Sequence, residues 1–302
     1  MQFTLQLPTD KVHSPDEFLT AEAVGEVARC AEQAGFAACF VTDHPMPDDD
    51  WLAGGGHHTL DPFVALSFAA AATTRIRLQT HIVVLAYRNP FLTAKSVASL
   101  DVLSGGRLIL GVAAGYLEGE FAALGVDVDE RNVLTDEAID VMVRAWTESG
   151  IELEGRHFRA DGNTMLPRPL QKPHPPIWVG GNSRRAIRRA VEKGDGWLPF
   201  PAPQHMASTI RTAPLESAAD LEERLAYART HAAKVGRTRP LDICAAPFTL
   251  RSWIRDRTLA LCDEIAALEA IGVNWLTISL PARSREAFCQ EVLRFGSEII
   301  AR

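Results

Sequence analysis

Eight times along this 302-residue chain a short apolar run is followed by a stretch of helical periodicity. The runs fall at 3–7, 38–42, 77–85, 107–113, 177–179, 196–199, 241–246 and 275–280. Helical patterns are expected at 17–34, 61–74, from 90 to near 104, 135–148, from 183 onward, 218–235, 259–271 and 284–300. Apolar runs bounded by turn residues read as buried strands, and strands alternating with helices imply parallel, right-handed βαβ units. Eight such units in about 300 residues fit one closed (β/α)8 TIM barrel with insertions at about 43–60 and 150–176. The helix starts carry their own signals. Asp61-Pro62 and Asn89-Pro90 place an N-cap residue before a proline at the first helical position, and Gly35, Gly236 and Gly272 close helices. The alternative, a doubly wound open sheet, predicts a glycine-rich turn after the first strand; Leu7-Pro8-Thr9-Asp10 stands there instead, with no G-x-G-x-x-G. Residues 151–165 read as a polar hairpin turned at Glu154-Gly155, either an insertion covering the site or an interface.

Composition narrows the partners. Hydrophobic residues make up 47% and charged residues 23%, enough apolar side chain for a large core. The net charge of −7, from 31 basic and 38 acidic residues, argues against nucleic acid or an anionic membrane as a general partner. No apolar run approaches the roughly 18–20 residues of a membrane span. The first residues, MQFTLQLPTD, lack a basic n-region and an apolar h-region, so a cytoplasmic protein is expected. Cys30, Cys39, Cys244, Cys262 and Cys289 form no C-x-x-C pair and read as reduced thiols packed in the core.

In a barrel of this kind, chemistry sits at the C-terminal ends of the strands. Strand two ends in Asp43-His44, an acid–base pair in which histidine titrates near neutral pH. The loop after it carries Asp48, Asp49, Asp50, Trp51, three glycines, His57 and His58, and reads as a lid or substrate loop. A metal is not expected there, because adjacent His57 and His58 diverge and no H-x-H or H-E-x-x-H spacing occurs. His81 ends strand three and reads equally as a core or rim histidine. Ala113-Ala114-Gly115-Tyr116 forms a run of small residues at the end of strand four, where a flat group can approach the backbone. Glu118 and Glu120 follow, as helix caps or positioners of a neighbour. Gly180-Gly181-Asn182-Ser183 ends strand five with exposed backbone amides and a helix N-cap, a cradle for a phosphate or other anion. A phosphorylated planar cofactor fits these parts together.

These segments resemble the luciferase-like monooxygenase superfamily. The resemblance is carried by FVTDHPMP, by LDVLSGGRLILGV with the small-residue turn after it, and by PPIWVGGNS with GDGWLP. It is dense over residues 1–200, rests on the fold beyond them, and is nearest to the branch that uses the deazaflavin coenzyme F420. It implies an F420-dependent oxidoreductase that transfers a hydride between the deazaflavin and a small organic substrate. The alternatives are a reduced-FMN monooxygenase using oxygen and a flavin-binding protein without turnover. A hydrolase on the same barrel lacks a G-x-S-x-G elbow. Position by position, the resemblance puts Asp43-His44 beside the reactive ring, with His44 as acid/base. It puts a non-proline cis peptide at His81-Ile82, beneath the ring. Ala113, Ala114, Gly115 and Tyr116 then border the cofactor, and Gly180, Gly181, Asn182 and Ser183 receive its phosphate. His81 stands where small residues are commoner, Ala113 where glycine is frequent, and Tyr116 where several relatives have Trp or Glu. Trp51, His57, His58 and Tyr116 are expected to shape the substrate pocket. A homodimer through helices on one side of the barrel is the expected assembly. Of the 31 basic residues 26 are Arg, which suits a GC-rich genome of the kind found in hosts that make F420.

Overall fold

The computed structural model describes residues 1–207, 209–248 and 258–302. The strands are β1 (Gln2–Gln6), β2 (Ala38–Val41), β3 (Arg77–Val84), β4 (Leu108–Ala113), β5 (Ile151–Glu154), β6 (Arg159–Asn163), β7 (Ile177–Gly180), β8 (Gly196–Leu198), β9 (Asp242–Ala245) and β10 (Trp275–Ile278). Eight of them, all but β5 and β6, close into a parallel barrel in the order β1-β10-β9-β8-β7-β4-β3-β2. The helices are α1 (Pro15–Phe18), α2 (Ala21–Ala34), α3 (Asp49–Ala53), α4 (Pro62–Ala72), α5 (Pro90–Leu103), α6 (Glu118–Ala123), α7 (Arg131–Thr147), α8 (Arg184–Lys193), α9 (Gln204–Ala207), α10 (Ala218–Lys234), α11 (Thr258–Ile271) and α12 (Arg285–Phe295). The (β/α)8 TIM barrel expected from the alternation is the fold observed.

Two apolar layers hold it. Inside the barrel, Ala38, Ile109, Trp178, Leu198, Cys244 and Trp275 pack together, with Trp178 edge-on to Trp275 at 5.1 Å between ring centres. Outward-facing strand residues such as Leu5, Val41, Leu78, Leu110, Val179 and Leu276 pack beneath the helices. Strands with apolar residues on both faces are the mark of a parallel sheet covered on both sides.

Several boundaries differ from the sequence reading, each for a local reason. The helix expected at 17–34 is two helices. Ser14-Pro15 starts α1, and Thr20 starts α2 anew by accepting a hydrogen bond from the Ala23 amide at 3.1 Å. The loop after strand two contains α3, capped by Asp48, which accepts from the Trp51 amide at 2.8 Å. α7 begins at Arg131, four positions before Thr135, because a 3-10 turn at Val128–Glu130 runs straight into it. The last helix ends at Phe295, where a π-turn takes over. The hairpin forms as β5 and β6, but its turn spans 155–158, closed by the Gly155 amide on the Phe158 carbonyl at 2.9 Å. It lines a side cavity with Phe91, Lys95 and Ala145, and contributes nothing to the lining of the barrel-mouth cavity described below. Of the five cysteines, Cys39, Cys244 and Cys289 are buried, whereas Cys30 and Cys262 are only half-buried; all are free thiols. No described helix is long and apolar enough to cross a membrane.

Candidate active site

A cavity of about 500 Å³ opens at the C-terminal end of the barrel. Its lining runs from Asp43, His44, His81 and Ile82, past Ala113, Ala114, Gly115 and Tyr116, to Gly180, Gly181 and Ser183. The sequence-predicted residues at the ends of β2, β3, β4 and β7 therefore share one wall, apart from Asn182, whereas Trp51, His57 and His58, expected to shape the substrate pocket, are not in its lining. The His81-Ile82 peptide is cis. Among the described residues, no group of three His, Cys, Asp or Glu side chains is placed to hold a metal ion.

His44 sits at the centre of a packed cluster. Its ring lies 4.5 Å from that of Trp51 and 4.9 Å from that of His57. Gly56 permits this, because a Cβ there would fall 2.2 Å from the Trp51 ring. His57 meets the Thr42 hydroxyl at 3.2 Å, and burial, helped by the nearby His44, pushes its pKa down to about 4. His44 Nδ1–H donates to Glu120 Oε2 at 3.3 Å, which leaves Nε2 as the free nitrogen of a residue that lines the cavity. Glu120 is fully buried and also accepts from the Met46 amide at 3.1 Å and the Tyr87 hydroxyl at 3.0 Å. One carboxylate thus fixes the imidazole, the chain after it, and a tyrosine. Burial pushes the Tyr116 phenol up to about 12, so it is a neutral wall at ordinary pH. No hydrogen bond or ring contact joins His58 to this cluster among the described residues.

Asp43 has a different place from the one its pairing with His44 implied. Its carboxylate is buried, accepting from the Val84 amide at 3.0 Å and from the Arg88 guanidinium at 2.8 Å. Both oxygens are engaged, so Asp43 ties the ends of β2 and β3 together and is a positioning residue. Asn182 is corrected in the same way. It is fully buried, its amide nitrogen donating to the Phe200 and Ala213 carbonyls and its oxygen accepting from the Phe200 amide. It holds the following loops and does not line the cavity.

In the expected cradle the Gly181 amide donates to the Leu198 carbonyl at 3.2 Å and the Asn182 amide to the Thr212 hydroxyl at 2.9 Å, which leaves the N-terminal turn of α8 to face an anion. Ser183 caps α8 by accepting from the Ala186 amide at 3.2 Å. A Cβ on Gly180 would fall 3.3 Å from Ile82 Cγ2 and 3.4 Å from Ala113 Cβ, so its absence keeps the slot between β3 and β7 open. Gly115 turns at φ +81°, where a Cβ would strike Val84 at 2.5 Å. The far wall carries Arg131, Arg185, Arg189 and Arg211. Arg185 and Arg189 share Asp136, which burial opposes but the two guanidinium groups hold below the usual carboxylate range. Arg211 pairs with Glu118. A planar group with an anionic tail fits this shape: an apolar slot at one end, a helix N-terminus and arginines at the other.

The pattern of a luciferase-like monooxygenase matches residues 1–252. The chain belongs to the luciferase-like monooxygenase family. It is 34% identical over 194 residues to an F420-dependent glucose-6-phosphate dehydrogenase of Intrasporangium calvum, covering 61% of this chain and 55% of that protein. It is 32% identical over 177 residues to an FMNH(2)-dependent dimethylsulfone monooxygenase of Pseudomonas putida, covering 57% and 47%. Matches of this kind span 46% to 66% of the length of the curated relatives. Among solved structures, the monooxygenase RslO1 of Streptomyces bottropensis superposes with a TM-score of 0.77 at 23% identity, over 100% of this chain and 99% of that one. That likeness supports the luciferase-like barrel. The family is one of redox enzymes that share the fold and divide over the cofactor.

Proposed function

We propose that this luciferase-like protein is a coenzyme F420-dependent oxidoreductase acting on a small organic substrate. The observation that carries the reading is the single cavity joining His44 and the His81-Ile82 turn to the Ser183 cradle and its arginine wall. A single phosphate is met by the helix N-terminus alone, whereas a phosphodiester tail bearing carboxylates has use for several guanidinium groups. The deazaflavin, when bound, supplies the hydride chemistry. The chain's own residues do the rest. Gly180, Gly115 and Ile82 shape the slot for the ring, Ser183 and the α8 amides meet the phosphate, and His44 holds or releases a proton at Nε2 while Glu120 keeps Nδ1. The 34% identical F420-dependent relative supports this reading. The FMNH(2)-dependent relative, nearly as similar, favours the second reading, a reduced-FMN monooxygenase; a flavin binder without turnover is the third.

Titrating the purified protein with F420 and with FMN, followed by fluorescence quenching, separates the first two. Saturable F420 binding is expected; tight FMN binding with no F420 binding overturns the proposal. Redox turnover of bound coenzyme separates enzyme from binder. We further propose a homodimer. α4 is apolar on nearly every side, and Val64 and Phe68 on it and Leu92 and Leu103 on α5 stand 48% to 78% exposed. Such faces need cover. Sedimentation is expected to show twice the chain mass, and Leu92→Lys with Phe68→Lys to halve it; a wild-type monomer rejects the assembly.

A further inference from the structure

His81 faces the same cavity as His44 but is held in the opposite sense. Its Nδ1 lies 3.2 Å from Gln79 Nε2, an amide nitrogen that can only donate. With the Gln79 amide nitrogen on this side, Nδ1 carries its lone pair, and a neutral ring then carries its hydrogen on Nε2. The ring is fixed by Phe40, 4.7 Å away and tilted by 45°. Gln79 is itself fully buried, its Oε1 makes no hydrogen bond, and the buried Cys244 thiol adjoins its side chain. No described residue accepts from His81 Nε2, although His81 and Ile82 both line the cavity. A second protonation, on Nδ1, would set an N–H against the Gln79 N–H. Burial independently holds the His81 pKa down at about 4.

We infer that His81 is an Nε2–H donor for a carbonyl oxygen held at the barrel mouth, with Gln79 as the residue that sets its tautomer. The assignment rests on the redox reading above only in supplying carbonyl-bearing ligands, on the coenzyme ring or on the substrate. A neutral acceptor is selected because a carboxylate or phosphate at this point draws its stabilisation from an imidazolium, which Gln79 opposes. Hydride transfer to a carbonyl carbon, or in reverse from an alcohol, gains from such a donor, since it meets the oxygen without yielding its proton.

The test begins on the full-length protein without coenzyme. Long-range ¹⁵N–¹H spectra of histidine-labelled protein, with His81→Phe to assign the signal, are expected to show the Nε2–H tautomer unchanged from pH 5.5 to 8. In Gln79→Glu the carboxylate accepts from Nδ1–H, so the pattern is expected to change to the Nδ1–H or doubly protonated form. An Nδ1–H tautomer in the wild type, or titration near 6.5, overturns the inference. F420, FMN and menadione, a neutral dicarbonyl probe, are then added separately, with acetate as the anionic control. A shift of the Nε2–H signal with a coenzyme places the carbonyl on the ring; a shift with menadione alone places it on the substrate. In the first case His81→Phe is expected to weaken coenzyme binding about tenfold and His81→Gln to restore most of it. No shift with any of the three, or a shift with acetate alone, overturns the donor role. Failure of F420 to bind sinks the cofactor reading but leaves the tautomer result standing.

Discussion

Glu120→Gln tests whether a buried carboxylate 76 positions away from His44 sets that histidine's chemistry. The two side chains have nearly the same shape, so the change is in hydrogen-bond capacity. Glu120 accepts three donors: the Met46 amide on Oε1, and the Tyr87 hydroxyl and His44 Nδ1–H on Oε2. A carboxamide has one oxygen and two orientations. With its oxygen toward Tyr87 and His44, its NH2 meets the Met46 N–H, a buried clash of donors costing about 1–3 kcal/mol. With its oxygen toward Met46, its NH2 faces Tyr87 and His44. The hydroxyl can rotate and accept, and His44 Nδ1 can accept only by moving its hydrogen to Nε2. The second orientation costs the fold less and leaves the wrong nitrogen protonated at the cavity. The expectation is therefore a stability loss of about 1 kcal/mol by urea unfolding and coenzyme affinity within threefold of wild type. Turnover is expected to fall by about 10²–10⁴, the usual worth of a positioned acid/base. Because Glu120 acts through His44, Glu120→Gln combined with His44→Ala is expected to be no slower than His44→Ala alone. Turnover within threefold of wild type, or additive losses in the double variant, refutes the assignment and leaves Glu120 a structural group.

Three further outcomes follow from other contacts. Asp43→Asn keeps an acceptor for the Val84 amide but turns an N–H2 toward Arg88; about 1–3 kcal/mol of stability is expected to go, with the pH profile of turnover unmoved, since both Asp43 oxygens are engaged by Val84 and Arg88. A shifted profile restores Asp43 to the chemistry. Gly115→Ala puts a Cβ 2.5 Å from Val84 at φ +81°, so a loss of about 1–3 kcal/mol with weakened coenzyme binding is expected, read by denaturation and titration. For pH, His57 and His81 have folded pKa values of about 4 against about 6.5 unfolded. Between those values the unfolded chain binds more protons, so stability is full above pH 6.5 and falls as the pH drops toward 4. Denaturation midpoints at pH 7.5, 6 and 5 check this, and His81→Phe is expected to flatten the slope; equal midpoints reject it.

How much of this was legible in the chain depends on the range of the interaction. The barrel follows from alternating periodicities, and the caps at Asp61, Asn89 and Ser183 follow from residues within three positions of one another. The candidate wall was legible because barrel geometry sends every strand's C-terminal end to one mouth, whatever the side chains there. The roles of Asp43 and Asn182 were not, since local sequence gives neither the Arg88 guanidinium, 45 positions on, nor the loop carbonyls that surround Asn182. Glu120 was visible only as a cap or neighbour, and nothing local marks Arg131, Arg189 and Arg211, far apart in the chain, as facing one cavity. The loop after strand two hid a helix of five residues, too short for periodicity, although Asp48 three positions before Trp51 is a cap signal of its own.

The two histidines show why tautomer, more than presence, decides what such a site can do. Each faces the cavity and each has Nδ1 tied to a residue that does not react. Glu120 is an acceptor, so His44 keeps its hydrogen on Nδ1 and offers a basic Nε2; Gln79 is a donor, so His81 offers an Nε2–H and no base. One barrel end thereby holds a group that can take a proton and a group that can only lend one, a division that hydride transfer to a carbonyl uses at two different atoms. Exchanging the two partners' chemistry, Glu120→Gln with Gln79→Glu, is expected to take the Nδ1 proton off His44 and put one on His81 without touching either histidine. Turnover is then expected to be lost, and both changes are readable in a single ¹⁵N–¹H spectrum. A double variant that keeps wild-type tautomers shows that the rings, and not their partners, set the protons.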